Sequence, residues 1–416
     1  MLRQIEGSRA IAETVARCRP NVVCAYPITP QTHIVEAIGV MVRTGELANC
    51  RFINVESEFA AMSVAIGASA TGVRAYTATA SQGLLFMIEA VYNAAGLGLP
   101  VVMTLANRAI GAPINIWNDH SDAMAVRDAG WIQLFAESNQ AAADLHVQAF
   151  RLAQEVSLPV MVCVDGYVLT HAVEQVDLLT QDEVDALLPP FVPRQALDPD
   201  RPLSIGAMVG PEAFVEVRYL AHAKQLHALT VIDDIADDFS SRTGRPAGGL
   251  LSSYQMDGAV MAVVAMGSVI GTLKDAVDAL PGSGPQVGVI GLTTFRPFPT
   301  EALRHALDGV HVVVVLEKAF SIGYGGVLAT DVALAVQGRP HLSTVVAGLG
   351  GRPITEASLV EMLGWARDGT LEPLTFLDLD HAIVDRELAR MATDRQSGPS
   401  AENILRDKGT AAPAPQ

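Results

Sequence analysis

Three groups of polar residues in the first third of the chain follow apolar runs that are typical of buried strands. These groups are the turn 26–30 (YPITP), the acidic stretch 55–58 (VESE) and the pair 107–108 (NR). Ligands of parallel α/β proteins bind at the carboxyl ends of strands, so we expect the three groups to share one pocket. A hydroxyl, a carboxylate and a guanidinium in that pocket could bind an anionic substrate beside a cofactor.

Strands and helices alternate along the sequence, and this alternation predicts the fold. Predicted strands such as 21–25, 51–55 and 99–106 are separated by helical segments, and a second series of this kind starts at 260–265. Such alternation is typical of βαβ units around a parallel sheet, so an α/β fold is predicted. The predicted division is a parallel-sheet domain over 1–186, a linker and connecting segment over 187–250, a smaller α/β domain over 251–392 and a disordered tail over 393–416.

Composition narrows the classes of partner and location. The 416 residues carry a net charge of −17, which argues against nucleic acid as a partner because phosphate binding needs clustered Lys and Arg. No run of about 18 apolar residues is present, so no membrane span is predicted. The first residues, MLRQIEG, lack the apolar segment of a signal peptide, and we expect a cytoplasmic protein.

Cysteine and glycine motifs that hold cofactors are missing from the sequence. The four cysteines form no CxxC pair, so an iron–sulfur cluster or a zinc site held by cysteines of this chain alone is not predicted. No GxGxxG motif follows a predicted strand and no P-loop is present, which disfavours a dinucleotide-binding domain.

Several motifs, in order and at matching spacing, resemble the α subunit of 2-oxoacid:ferredoxin oxidoreductases, the pyruvate:ferredoxin oxidoreductase superfamily. The resemblance covers about residues 4–350. The motifs that carry it are 25–32 (AYPITPQT), 55–58 (VESE), 79–84 (TASQGL), 107–109 (NRA) with 118–122 (NDHSD), and in the second domain 265–268 (AMGS) and 295–299 (FRPFP).

The resemblance implies a thiamine diphosphate enzyme that oxidatively decarboxylates a 2-oxoacid to acyl-CoA and CO₂, with coenzyme A as a substrate. This chain would supply the pyrimidine-side cofactor domain followed by a transketolase C-terminal-like domain. A separate β subunit would hold the diphosphate and Mg²⁺, and other subunits would carry the [4Fe–4S] clusters. Ferredoxin would accept the electrons, or NAD would accept them through an added flavin subunit.

The same resemblance assigns roles to three catalytic candidates. Glu58 matches the carboxyl group that hydrogen-bonds the aminopyrimidine ring, and Glu56 is its nearby competitor. Arg108 matches the arginine that binds the substrate carboxylate, for which a planar guanidinium suits a bidentate contact. Thr29 matches the threonine whose hydroxyl contacts the substrate. Each has an ordinary alternative: an acid at a helix start, a surface arginine and a turn residue.

Further positions near these motifs are weaker candidates. Ser81, Gln82 and Gly83 would place a helix N-terminus near the cofactor. Asp119 and His120 would lie in a segment that closes over the substrate, where they could handle protons or order water; an ordinary loop histidine is the alternative.

Three departures from the family pattern concern the substrate, and one of them is the pair Glu317-Lys318, which stands where relatives often carry an Arg/Asn-type pair at the start of the second-domain loop. Phe59 and Gly111 stand where relatives often carry other residues, and Gly111 is included among the substrate-binding candidates. An aromatic side chain and a missing one could suit a bulkier, aryl 2-oxoacid such as phenylglyoxylate instead of a pyruvate-like one.

Two other functions remain open from the sequence. One is a thiamine-dependent decarboxylase or carboligase subunit, which is weakened because no diphosphate-binding GDG…N pattern occurs. The other is a non-catalytic scaffold subunit, which has no need to keep Thr29, Glu58 and Arg108 together.

Overall fold

The computed structural model of the chain describes residues 2–410 except 282, 283, 285 and 339. Two central sheets and one two-stranded ribbon build it. Of the helices in the part that is described, none is both long and apolar enough to cross a membrane.

The first sheet is predominantly parallel, as predicted. It contains β2 (Val22–Ala25), β3 (Arg51–Asn54), β4 (Ala75–Thr79), β5 (Val101–Asn107), β6 (Ile132–Phe135), β7 (Val160–Asp165) and β12 (Thr294–Arg296). Their order is β12, β6, β7, β5, β4, β2, β3, and only β12 runs antiparallel to its neighbour. Strands β5 and β7 are buried throughout, because helices cover both faces of a parallel sheet.

Helices that cover the first sheet carry the connections between its strands. They are α1 (Gly7–Arg17), α2 (Thr32–Thr44), α3 (Glu58–Ala70), α4 (Ser81–Phe86), α5 (Ile88–Gly96), α6 (Ser121–Ala125), α7 (Asn139–Val156) and α8 (Gln181–Leu187). Beside α1 and α7 lies the antiparallel ribbon of β1 (Leu2–Glu6) and β8 (Val173–Asp177). Side-chain oxygens of Ser57 and Ser138 cap the N-termini of α3 and α7.

The second sheet is parallel apart from one edge strand. It contains β9 (Leu251–Tyr254), β10 (Met261–Ala265), β11 (Val287–Leu292), β13 (Val312–Glu317), β14 (His341–Val346) and β15 (Leu374–Phe376), ordered β15, β14, β13, β10, β11, β9 with β9 antiparallel. Its helices are α10 (Val269–Asp278), α11 (Thr300–Ala306), α12 (Leu328–Val336) and α13 (Glu356–Arg367), with a 3₁₀ turn at Leu349–Gly351.

A long helix, α9 (Phe214–Thr243), lies inside the segment that the sequence predicted as a linker. Its second half packs into the core of the first sheet through Ile232, Ile235 and Phe239. Its first half leaves large apolar side chains such as Phe214 exposed. The segment 187–250 is therefore only partly a connection, because half of this helix belongs to the first domain.

The C-terminal segment also contains structure where a disordered tail was predicted. After α14 (His381–Thr393) the chain forms α15 (Ser400–Asp407). Asn403 is buried against α14 and donates a hydrogen bond to Glu387 at 3.1 Å, which holds the two helices together. Residues 411–416 of the predicted tail lie outside the described residues.

The two sheets share one apolar core. Strand β12 follows β11 of the second sheet in sequence but completes the edge of the first sheet. Phe295 of β12 stands edge-on to Phe135 of β6, with ring centroids 6.1 Å apart. Apolar residues from both sheets, including Met103 and Val264, belong to the same buried cluster. This continuity fixes how the second sheet is placed against the candidate site.

Candidate functional site

Four neighbouring strands of the first sheet end at the polar groups that the sequence singled out. The turn 26–30 follows β2, Glu58 follows β3, Ser81 follows β4 and Arg108 follows β5. These strands are adjacent in the sheet, in the order β5, β4, β2, β3. Their carboxyl ends therefore bring the predicted groups to one edge.

Glu58 is the first residue of α3, and its side chain is buried. Glu56, the competing acid two residues earlier, is exposed. Burial separates the two acids and favours Glu58 as the group that can act in an enclosed pocket. A carboxyl group that is withdrawn from water makes stronger hydrogen bonds to a bound ligand than an exposed one.

Gly83 in α4 allows this helix to approach the Glu58 carboxyl group. A Cβ atom at position 83 would lie 2.7 Å from Glu58 Oε1 and 2.6 Å from Thr79 Oγ1. The Thr79 hydroxyl is buried and has no hydrogen-bond partner among the described residues. A carboxyl group, an unpartnered hydroxyl and a glycine thus meet at the ends of β3 and β4.

Arg108 is buried and held by two backbone carbonyl groups. Its Nε donates to Asn115 O at 3.0 Å, and its Nη1 donates to Thr29 O at 2.9 Å. Within the residues that the structure describes, Nη2 has no hydrogen-bond partner. The guanidinium is therefore oriented by the chain while one of its nitrogens stays available, next to the threonine that was predicted to share its ligand.

Asp122 is a buried carboxyl group on which several of these segments converge. It accepts hydrogen bonds from the backbone N–H of Ser81 (3.0 Å) and of Arg108 (2.9 Å), and from Asn107 Nδ2 (2.8 Å). Ala123 N–H completes the set. Burial raises the pKa of Asp122 to about 7, although the hydrogen bonds from Asn107, Ser81 and Arg108 act in the opposite direction.

Ser81 and Gln82, predicted near the cofactor, face the loop that follows β5. The Ser81 hydroxyl donates to Ala109 O at 2.5 Å and contacts the Gln82 amide oxygen. A Cβ atom at Gly111 would lie 2.7 Å from Gln82 Nε2. The absence of a side chain at position 111 thus leaves room for Gln82. Phe59, the other residue that departs from the family pattern here, lies on α3 and is 40% exposed.

Asp119 has its partner in the second domain, whereas the His120 side chain has its partner, Asp165, in β7 of the first sheet. Asp119 accepts the backbone N–H of Gly350 at 3.0 Å. His120 Nε2 lies 2.7 Å from Asp165 Oδ1, and Lys318 Nζ lies 2.8 Å from Asp165 Oδ2. These contacts orient both side chains, and the predicted roles of Asp119 and His120 at the substrate stay predictions.

Asp165, His120, Lys318 and Ser268 form a buried interdomain cluster. The Ser268 hydroxyl also contacts Asp165, and its backbone N–H donates to the same carboxyl oxygen at 3.0 Å. Burial by itself would raise the pKa of Asp165, but the charge of Lys318, then that of His120, and the hydrogen bonds from both hold it well below its usual range. The cluster is therefore a satisfied buried ion pair that fastens the two domains.

Two family models cover most of the chain. Residues 13–237 match the family described as pyruvate flavodoxin/ferredoxin oxidoreductase, thiamine diP-bdg, and residues 259–359 match pyruvate:ferredoxin oxidoreductase core domain II. Over 390 residues the chain is 45% identical to pyruvate synthase subunit PorA of Methanosarcina barkeri, which covers 91% of this chain and 97% of the relative. The chain belongs to the 2-oxoacid:ferredoxin oxidoreductase α-subunit family.

Other members of this family act on different substrates, according to their names. Pyruvate synthase subunit PorA of Methanothermobacter thermautotrophicus is 42% identical over 87% of this chain and 94% of the relative. Ketoisovalerate oxidoreductase subunit VorA of Pyrococcus abyssi is 40% identical over 84% of this chain and 90% of the relative. Membership therefore leaves the identity of the 2-oxoacid open.

Solved structures share the fold at low sequence identity. The 2-oxoglutarate:ferredoxin oxidoreductase of Magnetococcus marinus, with 2-oxoglutarate, coenzyme A and succinyl-CoA bound, has a TM-score of 0.66 at 18% identity over 87% of this chain and 65% of that chain. A split-gene transketolase, as an inactive β4 tetramer, has a TM-score of 0.52 at 15% identity over 88% of this chain and 99% of that one. These likenesses confirm the predicted α/β fold.

The residues beside Glu58 fit the pyrimidine side of thiamine diphosphate. The buried carboxyl group can hydrogen-bond a ring nitrogen, the Thr79 hydroxyl has no partner in the described part of the chain, and Gly83 keeps both within reach of one ligand. Sequence reasoning missed Thr79 and the convergence on Asp122. A signal was present for both residues, because Asp122 lies in the NDHSD motif and Thr79 begins the TASQGL motif at a strand end.

Proposed function

We propose that this chain supplies the pyrimidine-side and substrate-carboxylate half of an active site that oxidatively decarboxylates a pyruvate-type 2-oxoacid to acyl-CoA and CO₂. The observation that carries the proposal is that two groups of residues lie at the carboxyl ends of four neighbouring strands, β5, β4, β2 and β3. One is the buried Glu58 carboxyl group at Gly83, and the other is Arg108 fixed over Thr29.

Glu58 would hold the aminopyrimidine ring of thiamine diphosphate. When bound, this cofactor supplies the electron sink for breaking the bond between the carboxylate and the 2-oxo carbon. The carboxyl group of Glu58 would donate or accept a proton at the ring nitrogen, and its burial would exclude water from that hydrogen bond. Thr79 would donate its free hydroxyl to the same ligand.

Arg108 would bind the substrate carboxylate. Its Nε and Nη1 donate hydrogen bonds to backbone carbonyl groups. These two bonds fix the orientation of the guanidinium group, and therefore the direction in which Nη2 points. The Thr29 side chain lies on the same turn as the carbonyl that fixes Nη1, so its hydroxyl can contact the keto or carboxylate oxygen. Asp119 and His120 would hold the covering loop against the second domain.

Other subunits would complete the reaction. A β subunit would hold the diphosphate and Mg²⁺, and electrons would leave through [4Fe–4S] clusters on further chains to ferredoxin, or through a flavin subunit to NAD. Burial raises the pKa of Cys18 to about 12 and that of Cys24 to about 11, so these thiols stay protonated and are poor cluster ligands. This agrees with cluster binding elsewhere in the complex.

The first measurement is of which 2-oxoacid the complex oxidises. The natively purified complex is assayed for coenzyme A-dependent dye reduction with pyruvate, 2-oxoisovalerate, 2-oxoglutarate and phenylglyoxylate. We expect turnover with pyruvate, since the most similar relatives that we describe are pyruvate synthase subunits. Turnover with phenylglyoxylate alone would instead support the aryl substrate that Phe59 and Gly111 suggested.

Glu58→Gln separates a catalytic chain from a scaffold. The amide cannot exchange a proton as the acid does, so kcat should fall by about 100-fold or more. Glu56→Gln is the matched control, because this neighbouring acid is exposed, and it should keep its activity. Unchanged turnover in Glu58→Gln, with the complex still assembled, would support the scaffold function. Turnover that makes free aldehyde or a ligation product without coenzyme A would support the carboligase.

A further inference from the structure

Two histidines and a glutamate from separate segments meet on the first domain. Glu6 ends β1, His33 lies in the first turn of α2 and His171 lies in the loop between β7 and β8. Each offers one ligand atom, and these atoms lie within 4.8 Å of one another. His33 Nδ1 is 2.7 Å from Glu6 Oε1, and the two imidazole centroids are 4.8 Å apart.

We propose that Glu6, His33 and His171 form a binding site for a divalent transition-metal ion, with Zn²⁺ as the test ligand. Two imidazoles and one carboxylate are a ligand set that zinc accepts, with a fourth position left for water. Mg²⁺ and Ca²⁺ prefer sets made of oxygen atoms only, so the two histidines disfavour them.

The spacing of the ligand atoms suits one small ion. Bonds of about 2.0–2.2 Å place two ligand atoms of a tetrahedral zinc site roughly 3.3 Å apart. The separations in the cluster extend from 2.7 Å, between His33 and Glu6, up to the 4.8 Å limit. Adjustments of about 1 Å or less at the ends of the side chains would bring all three to one ion.

The backbone holds two of the ligand segments together without any ion. Glu6 pairs with Val173 in the ribbon, and Gly7 N–H donates to Ala172 O at 3.0 Å. Ser8 donates two hydrogen bonds to Thr170 O, in the loop that carries His171. One comes from its backbone N–H (2.9 Å) and the other from its hydroxyl (2.7 Å). The backbone segments of Glu6 and His171 are thus held side by side before any metal ion binds. This lowers the entropy cost of binding one.

His171 also has the second partner that a metal-binding imidazole usually has. Its Nδ1 lies 2.8 Å from the buried hydroxyl of Thr170. A hydrogen bond at Nδ1 orients the ring and leaves Nε2 available for an ion. Thr170 itself is fixed, because its hydroxyl accepts the backbone N–H of Tyr167 at 2.8 Å.

An ion here would link three segments that border the substrate side of the first domain. His33 lies four residues after Thr29, whose carbonyl holds Arg108. The Tyr167 ring lies between those of His171 and Trp117, with centroid distances of 4.6 and 6.5 Å. We therefore expect the metal to stabilise the turn and the loop without taking part in the reaction.

Metal binding is measured on the natively purified complex, so that the result does not depend on turnover. After removal of loose metal with a chelator, the complex is dialysed against ZnCl₂ and its zinc content is counted by mass spectrometry. We expect one zinc ion per α chain, and at least tenfold weaker binding in His33→Gln and in His171→Gln. His305→Gln replaces an exposed histidine elsewhere and should keep the zinc.

Three results would overturn the proposal. They are no zinc above the buffer level, the same zinc content in every variant, and loss of zinc in His305→Gln as well. Because His33 is exposed, its substitution is not expected to disturb folding, and a normal melting temperature without zinc checks this. Zinc that binds the folded protein should also stabilise it against heat. Zinc should therefore raise the melting temperature of the unmodified complex and leave that of the His33→Gln complex unchanged.

Discussion

Asp122 accepts the backbone N–H of Arg108 at 2.9 Å, through the same carboxyl oxygen that accepts Ser81 N–H. One buried acid therefore joins Arg108, the proposed substrate-binding arginine, to the helix that approaches Glu58. The contact with Asp122 fixes the position of the Arg108 backbone. The carbonyl groups of Asn115 and Thr29 fix the position of its guanidinium group.

Asp122→Asn should weaken catalysis without abolishing assembly. The amide would place its Nδ2 hydrogens against N–H donors, and each lost hydrogen bond to a carboxylate is worth about 1.5–3 kcal/mol. We expect kcat/KM to fall about 10- to 100-fold, with the KM for the 2-oxoacid rising, because Arg108 is misplaced. Asp128→Asn, on a side chain that is 71% exposed, is the control and should change neither constant.

The pH dependence of kcat/KM should report on the same acid. With a pKa of about 7, Asp122 gains a proton as the pH falls through neutrality, and a protonated oxygen cannot accept all its donors. We expect kcat/KM to decrease below about pH 7 and to be constant above it. An Asp122→Asn profile that kept the same step would assign it to another group.

Gly83→Ala should disturb the cofactor side alone. Its Cβ would lie 2.6 Å from Thr79 Oγ1 and 2.7 Å from Glu58 Oε1, so the Glu58 carboxyl group must move. The expected result is an increase of at least tenfold in the thiamine diphosphate concentration needed for half-maximal activity. Gly67→Ala, in the helix of Glu58 but with no atom within 4 Å of its Cβ, should instead stabilise the chain by about 0.5–1 kcal/mol. Equal behaviour of the two variants would contradict the proposed role of Gly83.

Gly111→Ser should change the choice of substrate. The new side chain would displace Gln82, whose Nε2 lies 2.7 Å from the Cβ position. We expect the KM for phenylglyoxylate to rise more than the KM for pyruvate, measured in parallel on one preparation. Gly96→Ser, where a Cβ meets no atom within 4 Å, is the matched control. An unchanged ratio of the two KM values would remove position 111 from the substrate pocket.

Asp165→Asn should destabilise the contact between the two domains. It leaves the buried Lys318 ammonium without its carboxylate, and breaking a buried ion pair in this way costs about 3–5 kcal/mol. Asp165→Asn with Lys318→Met should recover part of the loss in thermal unfolding, because no charge is then left unpaired. Asp368→Asn, in an exposed pair with Arg367, should cost little.

The sign of the pH effect on this stabilisation follows from the direction of the shift. The pKa of folded Asp165 lies below the ordinary value of 3.8, so its contribution is complete above that value. It is lost only as the pH falls through the lower, folded value. Acid unfolding of Asp165→Asn should therefore begin from a lower stability and depend less steeply on pH in that range.

Strand ends and their polar residues could be predicted from the sequence, whereas contacts between distant segments could not. Thr29, Glu58 and Arg108 follow apolar runs, and parallel strands bring such positions together whatever the rest of the chain does. Asp119 and His120 were predicted in the substrate loop but are held by Gly350 and Asp165. Nothing near them in sequence indicates a partner more than 40 residues away.

The helix α9 could not be assigned to the first domain from its pattern of apolar residues. Its apolar residues are spread over exposed and buried positions, so no single apolar face distinguishes it from a connecting segment. Only the contact of Ile232, Ile235 and Phe239 with the first core identifies the buried half. Packing, and not local preference, determines where this helix belongs.

Strand β12 has a consequence for how the gene can be divided. The boundary between the two family models falls between residues 237 and 259, yet the edge strand of the first sheet is encoded after it. A polypeptide ended at that boundary would leave β6 with a bare edge and Phe135 without Phe295. A cut at the boundary between the family models would therefore divide one sheet between two polypeptides, and each polypeptide alone would expose apolar surface that the other covers.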